Sequence, residues 1–320
     1  MAVLKVNIRK LLFERTAASS LQRTMTLAVI VAAFLLVTAV SAKEPTPVVM
    51  WHGMGDSCCL PFSMGAIKEE LEKQVAGVYV RSLEIGSSVI QDTLNGFFMP
   101  IDAQVEEACQ KIAADESLQG GYNAMGFSQG GQFLRAVAQR CPSPPMKNLI
   151  TFGGQHQGVF GLPHCLGTKG VCEVVKKLLD YGAYESFVQS HLVQAQYWHD
   201  PLKQQQYVEV SQFLADINNE RDVKNETYKE NLNKLENLVL VMFSNDTMVV
   251  PRESSHFGFY ALGQDQVVVP LQQTPIYTED YLGLKQLDAD GKLTMLETEG
   301  DHLQFSIDWL VENIVNVYLK

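Results

Sequence analysis

Two hydrophobic periods alternate along the chain. Short, mainly apolar runs at 48–51, 78–83, 122–125, 148–152, 238–243 and 293–296 lead into loops, several of them glycine-rich. Runs of this length without polar alternation predict strands buried on both faces. Between them, apolar residues recur at helical spacing. Ile101, Val105, Cys109 and Ile112 mark a helix over 101–114, and further helices are predicted over 65–75, 132–140 and 306–318. The last carries Ile307, Leu310, Ile314 and Val317 on one face, with Ser306 as its N-cap. Strands alternating with helices, with loops at the strand C-termini, predict an α/β fold whose central sheet is mostly parallel and flanked by helices. The alternation breaks over about 155–237. That stretch is polar, helix-leaning and studded with aromatic residues, which predicts an inserted helical lid or cap subdomain.

The N-terminus has a different pattern. Lys5, Arg9, Lys10, Arg15 and Arg23 precede an apolar run over 27–37, and Val40-Ser41-Ala42 supplies small residues before Lys43. This predicts a secretory signal peptide over 1–42 and a mature domain over 43–320. Two alternatives stay open: an uncleaved signal anchor, at the short end for a span, and a translation start at Met25. At 46% apolar, the 320 residues suffice for one large or two smaller domains with an ample core. Without residues 1–42 the chain keeps 20 basic and 35 acidic side chains, a formal charge of −15. Such a surface disfavours nucleic acid and anionic lipid, and no stable membrane span is expected once the leader is removed.

Six cysteines, at 58, 59, 109, 141, 165 and 172, form an even set behind a leader, which suggests disulfides and not metal ligands. Their number allows 15 connectivities. Two glycosylation sequons, at Asn225 and Asn245, fit the same secretory route.

The chemistry centres on Gly126-Phe127-Ser128-Gln129-Gly130, which lies between a strand-like run and a helix-like run. In that context G-x-S-x-G is the nucleophile elbow of α/β-hydrolases, whose acid and base follow in the order Ser, Asp/Glu, His. A serine needs an imidazole to take its proton and a carboxylate to hold the imidazole. Of seven histidines only His256 and His302 follow the strand at 238–243, and His302 stands between the last strand and the last helix, where the base belongs. Asp246 directly follows the strand at 238–243 and is favoured over Asp265, Asp280 and Asp301. The oxyanion hole falls to the backbone N–H groups of Gln129 and, in the loop after the first strand, Met54. His52 reads as a packed or supporting residue.

Longer motifs narrow the reading. His52-Gly53-Met54-Gly55-Asp56-Ser57-Cys58-Cys59, Gly126 through Arg135, Arg140-Cys141-Pro142-Ser143-Pro144-Pro145-Met146 and Glu299-Gly300-Asp301-His302-Leu303-Gln304 closely resemble palmitoyl-protein thioesterases of the lysosomal branch. The resemblance runs from about Pro47 to the C-terminus. It implies Ser128 as nucleophile, Asp246 as acid and His302 as base, with disulfides Cys58–Cys59, Cys109–Cys141 and Cys165–Cys172. It also implies hydrolysis of palmitoyl thioesters on protein cysteines, without metal or cofactor. The expected substrates are S-palmitoylated proteins or peptides and acyl thioesters such as palmitoyl-CoA. The lysosome is the expected destination, with secretion as a second one, and the 155–237 insertion is expected to build an apolar groove about a palmitate long. A carboxylester or lipid hydrolase on the same fold, and a non-catalytic hydrolase-fold binding module, are the alternatives.

Overall fold

Alternate side chains of the central strands divide between two cores. The computed structural model describes residues 44–161 and 169–320. The leader over 1–42 and the Cys165–Cys172 pairing lie outside the described residues. Strands β1 (Val48–Trp51), β2 (Val80–Ser82), β3 (Tyr122–Phe127), β4 (Met146–Phe152) and β5 (Asn237–Phe243) join β8 (Leu293–Thr298) in one sheet. Its order is β2-β1-β3-β4-β5-β8 and every pairing is parallel. A two-stranded antiparallel ribbon, β6 (Phe259–Tyr260) with β7 (Val268–Val269), stands apart. This is the α/β-hydrolase fold class.

The central strands read as mainly apolar runs because helices cover both faces. On one face Val48, Met50, Met125, Ile150 and Val239 pack with Met64 and Leu71 of helix α1 (Met64–Gln74) and with the C-terminal helix. On the other, Val49, Trp51, Ala124, Leu149 and Leu240 meet two helices further along the chain. Helix α2 (Val89–Phe98) precedes these two, which are α3 (Ile101–Ala114) and α4 (Gln129–Arg140). Cys109 of α3 is bonded to Cys141 just past α4, and Cys58 is bonded to Cys59.

Between β4 and β5 the described residues form α5 (Lys169–Gly182), α6 (Ser186–His191), α7 (Val193–Gln196), α8 (Gln204–Val210), α9 (Leu214–Ile217) and α10 (Glu226–Leu232). Tyr207, Phe213 and Tyr228 from this segment enter the main core. Val175, Leu179, Val188 and Leu192 instead make a separate small cluster with Phe97 of α2. After β7 come α11 (Pro275–Thr278) and α12 (Leu284–Ala289).

Two features depart from the sequence pattern. Helix α2 has no predicted counterpart, because Ile90, Leu94 and Phe98 leave it with an exposed apolar side instead of a clean stripe. At the C-terminus, Ser306 does cap a helix, accepting from the Trp309 N–H. However, α13 (Ile307–Leu310) passes into a π-helical stretch over Val311–Leu319. Leu310 and, in the wider winding, Ile314, Val315 and Leu319 are buried, whereas Ile307 and Val317 are 41% and 59% exposed.

The sheet order places the site. The chain goes from β1 outward to β2, then returns to the other side of β1 for β3. The loops leaving β1 and β3 therefore diverge around a crevice at the carboxyl edge, the switch point where open α/β sheets bind ligands.

Candidate active site

Ser128 occupies the turn from β3 into α4 with φ +53° and ψ −125°, a conformation rarely held by a residue with a side chain. The glycines two residues to either side have no room for one. A Cβ on Gly126 would stand 2.4 Å from Gly131 Cα, and one on Gly130 would stand 2.4 Å from the Trp51 carbonyl oxygen. Glycine at both positions lets β3 turn sharply into the helix against β1. The Ser128 N–H donates to the Phe152 carbonyl at 2.7 Å, which ties the turn to the end of β4.

Ser128, His302 and Asp246 form a hydrogen-bonded run. His302 Nε2 is 2.9 Å from Ser128 Oγ, and His302 Nδ1 is 2.7 Å from Asp246 Oδ2. The other carboxylate oxygen, Asp246 Oδ1, accepts the N–H groups of Met248 (2.8 Å) and Val249 (2.9 Å), so the side chain is held from both ends. Asp301, a competitor for the acid role, does not face the imidazole. Its Oδ1 accepts the backbone N–H groups of His302 (2.7 Å) and Thr247 (2.9 Å). It thus clamps the loop after β8 to the loop after β5, and the His302 and Thr247 N–H groups hold its carboxyl below the usual carboxylate value.

The loop after β1 packs directly on the serine. A Cβ on Gly53 would stand 3.0 Å from Ser128 Cβ, and Met54 shares a cavity lining with Ser128. Gln129 begins α4, where the first N–H groups have no intrahelical acceptor. Its side chain is anchored, donating to the Gly96 carbonyl at 3.1 Å and accepting from the Tyr197 hydroxyl at 3.3 Å. His52 is buried against Asp92 of α2, Nε2 to Oδ1 at 3.0 Å, with Nδ1 2.8 Å from the Gly53 carbonyl oxygen. Burial alone would lower its pKa, but the hydrogen bond to Asp92 and that carboxylate's charge outweigh it and raise the pKa above 6.5.

One contact to the serine has no sequence precedent. Gln155, two residues past Gly153 at the end of β4, donates from Nε2 to Ser128 Oγ at 3.2 Å. Its glycine-rich surroundings, Gly153-Gly154, were the available signal. Next to it, His156 lies in a buried network. Arg135 of α4 donates to His156 Nδ1 (3.2 Å), to the Ile217 carbonyl (2.9 Å) and to Asn218 Oδ1 (2.7 Å). Because Nδ1 accepts, the ring is neutral and its Nε2–H donates to Thr151 Oγ1 at 3.0 Å. Burial first, then the Arg135 charge, takes the His156 pKa well below 6.5.

His256 is elsewhere, with Nε2 near the carbonyls of Leu240 and Leu296 at 3.2 and 3.0 Å. Asp280 pairs with Lys229 at 2.8 Å. Asn225 and Asn245 are both exposed, and Asn225 Oδ1 caps α10 by accepting the Thr227 N–H at 3.1 Å.

The cavity beside Ser128 is small, about 30 Å³, and is lined by Met54, Val159, Leu179, Tyr197, Trp198 and Met248 among others. A wider cleft of about 500 Å³ around His199, Phe259 and Tyr281 includes none of Ser128, Asp246 and His302. The hydrogen-bonded serine, and not cavity size, therefore locates the site.

A sequence profile described as "Palmitoyl protein thioesterase" matches residues 47–302. The chain is 54% identical over 278 residues to palmitoyl-protein thioesterase 1 of Caenorhabditis elegans, covering 87% of this chain and 93% of the relative. It is 40% identical to palmitoyl-protein thioesterase 3 of Dictyostelium discoideum, covering 86% and 90%. To the Drosophila melanogaster protein named "Lysosomal thioesterase PPT2 homolog" it is 30% identical, covering 78% and 83%. With the profile spanning most of its length and two such relatives aligned nearly end to end, the chain belongs to the palmitoyl-protein thioesterase family.

Proposed function

We propose that this protein hydrolyses long-chain fatty acyl thioesters on protein cysteines through an acyl-enzyme on Ser128. The observation that carries the reading is the run from Asp246 through His302 to Ser128 Oγ, in a chain of this family. Ser128 Oγ attacks the thioester carbonyl carbon while His302 Nε2 takes its proton, and Asp246 stabilises the imidazolium. The N–H groups of Gln129 and Met54 receive the developing oxyanion. Collapse breaks the C–S bond and the thiol leaves with the proton from His302. A thiol with a pKa of about 8.5 is a good leaving group, so this protonation is undemanding. His302 then activates water, which attacks the Ser128 ester and releases the fatty acid.

The cavity beside Ser128 falls well short of the roughly 300–1,000 Å³ of ligand sites. We therefore read the 155–237 segment as a cap. Leu179 and Trp198, with Met248 from the loop after β5, are the side chains that must shift for an acyl chain to enter. S-palmitoylated proteins and palmitoyl-CoA are the expected substrates. A lysosomal destination through the secretory route, with secretion as a second outcome, accords with the basic and apolar leader. The name of the Drosophila relative and the exposed Asn225 and Asn245, as glycan acceptors, point the same way.

Single-turnover reaction with radiolabelled palmitoyl-CoA tests the reading. The acyl group is expected on Ser128, recovered in the peptide containing it, and absent from Ser128→Ala. Faster turnover of a matched oxyester than of the thioester would move the assignment to a carboxylester hydrolase.

A further inference from the structure

The loop that carries Met54 is held by a buried ion pair. His52 presents both ring nitrogens to groups that only accept: Nδ1 to the Gly53 carbonyl oxygen at 2.8 Å and Nε2 to Asp92 Oδ1 at 3.0 Å. Backbone donors hold Asp92 at both oxygens as well. Its Oδ1 also accepts the Ile85 N–H at 2.7 Å, and its Oδ2 accepts the Cys58 N–H at 2.8 Å. An imidazole that donates twice is an imidazolium. Both side chains are almost wholly inaccessible, at 2% and 0% exposure. One carboxylate on α2 thus grips the loop at His52 and again at Cys58, on either side of Met54.

The Gly53 carbonyl and the Met54 N–H belong to one peptide unit, which is not among the cis bonds of the chain. In a trans peptide these two groups point in opposite directions. Fixing the carbonyl toward the His52 ring therefore fixes the N–H away from it, and the loop at Gly53 lies against Ser128.

We propose that the His52–Asp92 pair is a positioning device for the oxyanion hole: His52 Nδ1–H pins the Gly53 carbonyl and so aims the Met54 N–H at the oxyanion. This deepens the proposed function and rests on its reading of Met54 as an oxyanion donor. His52 touches no reacting atom and acts through the peptide it orients. The energetic reason for a charged partner is rigidity. A neutral imidazole would donate to only one of the two groups, leaving the other held by backbone donors alone.

Two near-isosteric variants separate orientation from folding. In His52→Gln the side-chain amide reaches the Nε2 position and Asp92, but no side chain donates to the Gly53 carbonyl, which keeps only the longer bond from the Asp56 N–H at 3.3 Å. In His52→Asn the amide takes the Nδ1 position and donates to that carbonyl. Pre-steady-state hydrolysis of palmitoyl-CoA, with kcat expressed per burst-titrated site, is the measurement. His52→Gln is expected to lose about tenfold or more in kcat with KM nearly unchanged, since a lost oxyanion donor costs roughly 10²–10³. His52→Asn is expected to recover most of that loss despite lower stability. Wild-type kcat in His52→Gln, or equal losses in both variants, overturns the proposal. Nitrogen-15 spectra of wild-type His52 give a readout independent of variant folding: both ring nitrogens must be protonated at pH 7, and a neutral ring overturns the idea. Ser128→Ala in parallel keeps the two readings apart. A burst that survives there defeats the nucleophile assignment, whereas a burst lost there with His52→Gln at wild-type kcat defeats only the positioning role.

Discussion

Gly153 leaves open the space that the His302 ring occupies: a Cβ added there would stand 2.9 Å from His302 Cε1 and 3.1 Å from its Nδ1. Gly153 also holds φ +60°, where a side chain is strained. Gly153→Ala is therefore expected to push the imidazole off the line between Asp246 and Ser128. A displacement of about 1 Å can cost roughly 100-fold in rate. Palmitoyl-CoA turnover should fall by about that factor while circular dichroism shows a folded protein. Undiminished turnover would mean that His302 does not act from the position observed.

Asp246 makes three contacts, to His302 Nδ1 and to the N–H groups of Met248 and Val249. Asp246→Asn keeps the shape but places an amide beside Nδ1, favouring the wrong imidazole tautomer. The expected loss in kcat is on the order of 10⁴, as for the corresponding change in serine proteases. Thermal unfolding should show that the variant remains folded, and a loss below tenfold would argue against Asp246 as the orienting acid.

The buried His156 predicts acid sensitivity. Its folded-state pKa lies well below 6.5 through burial and the Arg135 charge, so the unfolded ring binds a proton that the folded one refuses. Stability from this residue is complete above about pH 6.5 and is lost as pH falls below that value, by at most about 1.4 kcal/mol per pH unit. Urea midpoints measured from pH 7.5 to 4.5 should decline. His156→Asn, which offers Arg135 a non-titrating acceptor, should decline less steeply. Identical slopes in the two proteins would remove His156 from the account.

Cys109–Cys141 joins α3 to the chain just past α4, across 32 residues. In the chain-entropy picture a loop of this length is worth about 3–4 kcal/mol. The double variant Cys109→Ala, Cys141→Ala should lose stability of that order in urea unfolding. The Ser128 side of α4 is packed by Phe133 and Leu134 in the main core, so palmitoyl-CoA turnover at 20 °C should be little changed. A neutral effect on unfolding would show that the reference state is constrained by other contacts.

Much of this protein could be read from local pattern because the physics there is local. A strand covered on both faces is mainly apolar, so β1, β3, β4 and β5 stood out as runs. A strand that turns sharply into a helix needs glycines at 126 and 130. Serine, aspartate and histidine, each in the turn or loop after a strand, suggested a shared edge once the sheet was taken as parallel. Periodicity reports whether a position is buried but not what it meets. Gln155 reaching Ser128, Gly153 making way for His302, and Asp92 gripping His52 and Cys58 link residues 27, 149, 40 and 34 positions apart. Only the order β2-β1-β3-β4-β5-β8 brings such pairs together. The outward apolar side of α2 and the π winding near the C-terminus were likewise set by neighbours, since packing against a sheet can override the pattern a helix carries by itself. Strand and turn chemistry are properties of a few adjacent residues. The hold on the loop that carries Met54 and the narrowness of the cavity beside Ser128 arise only where distant segments share space.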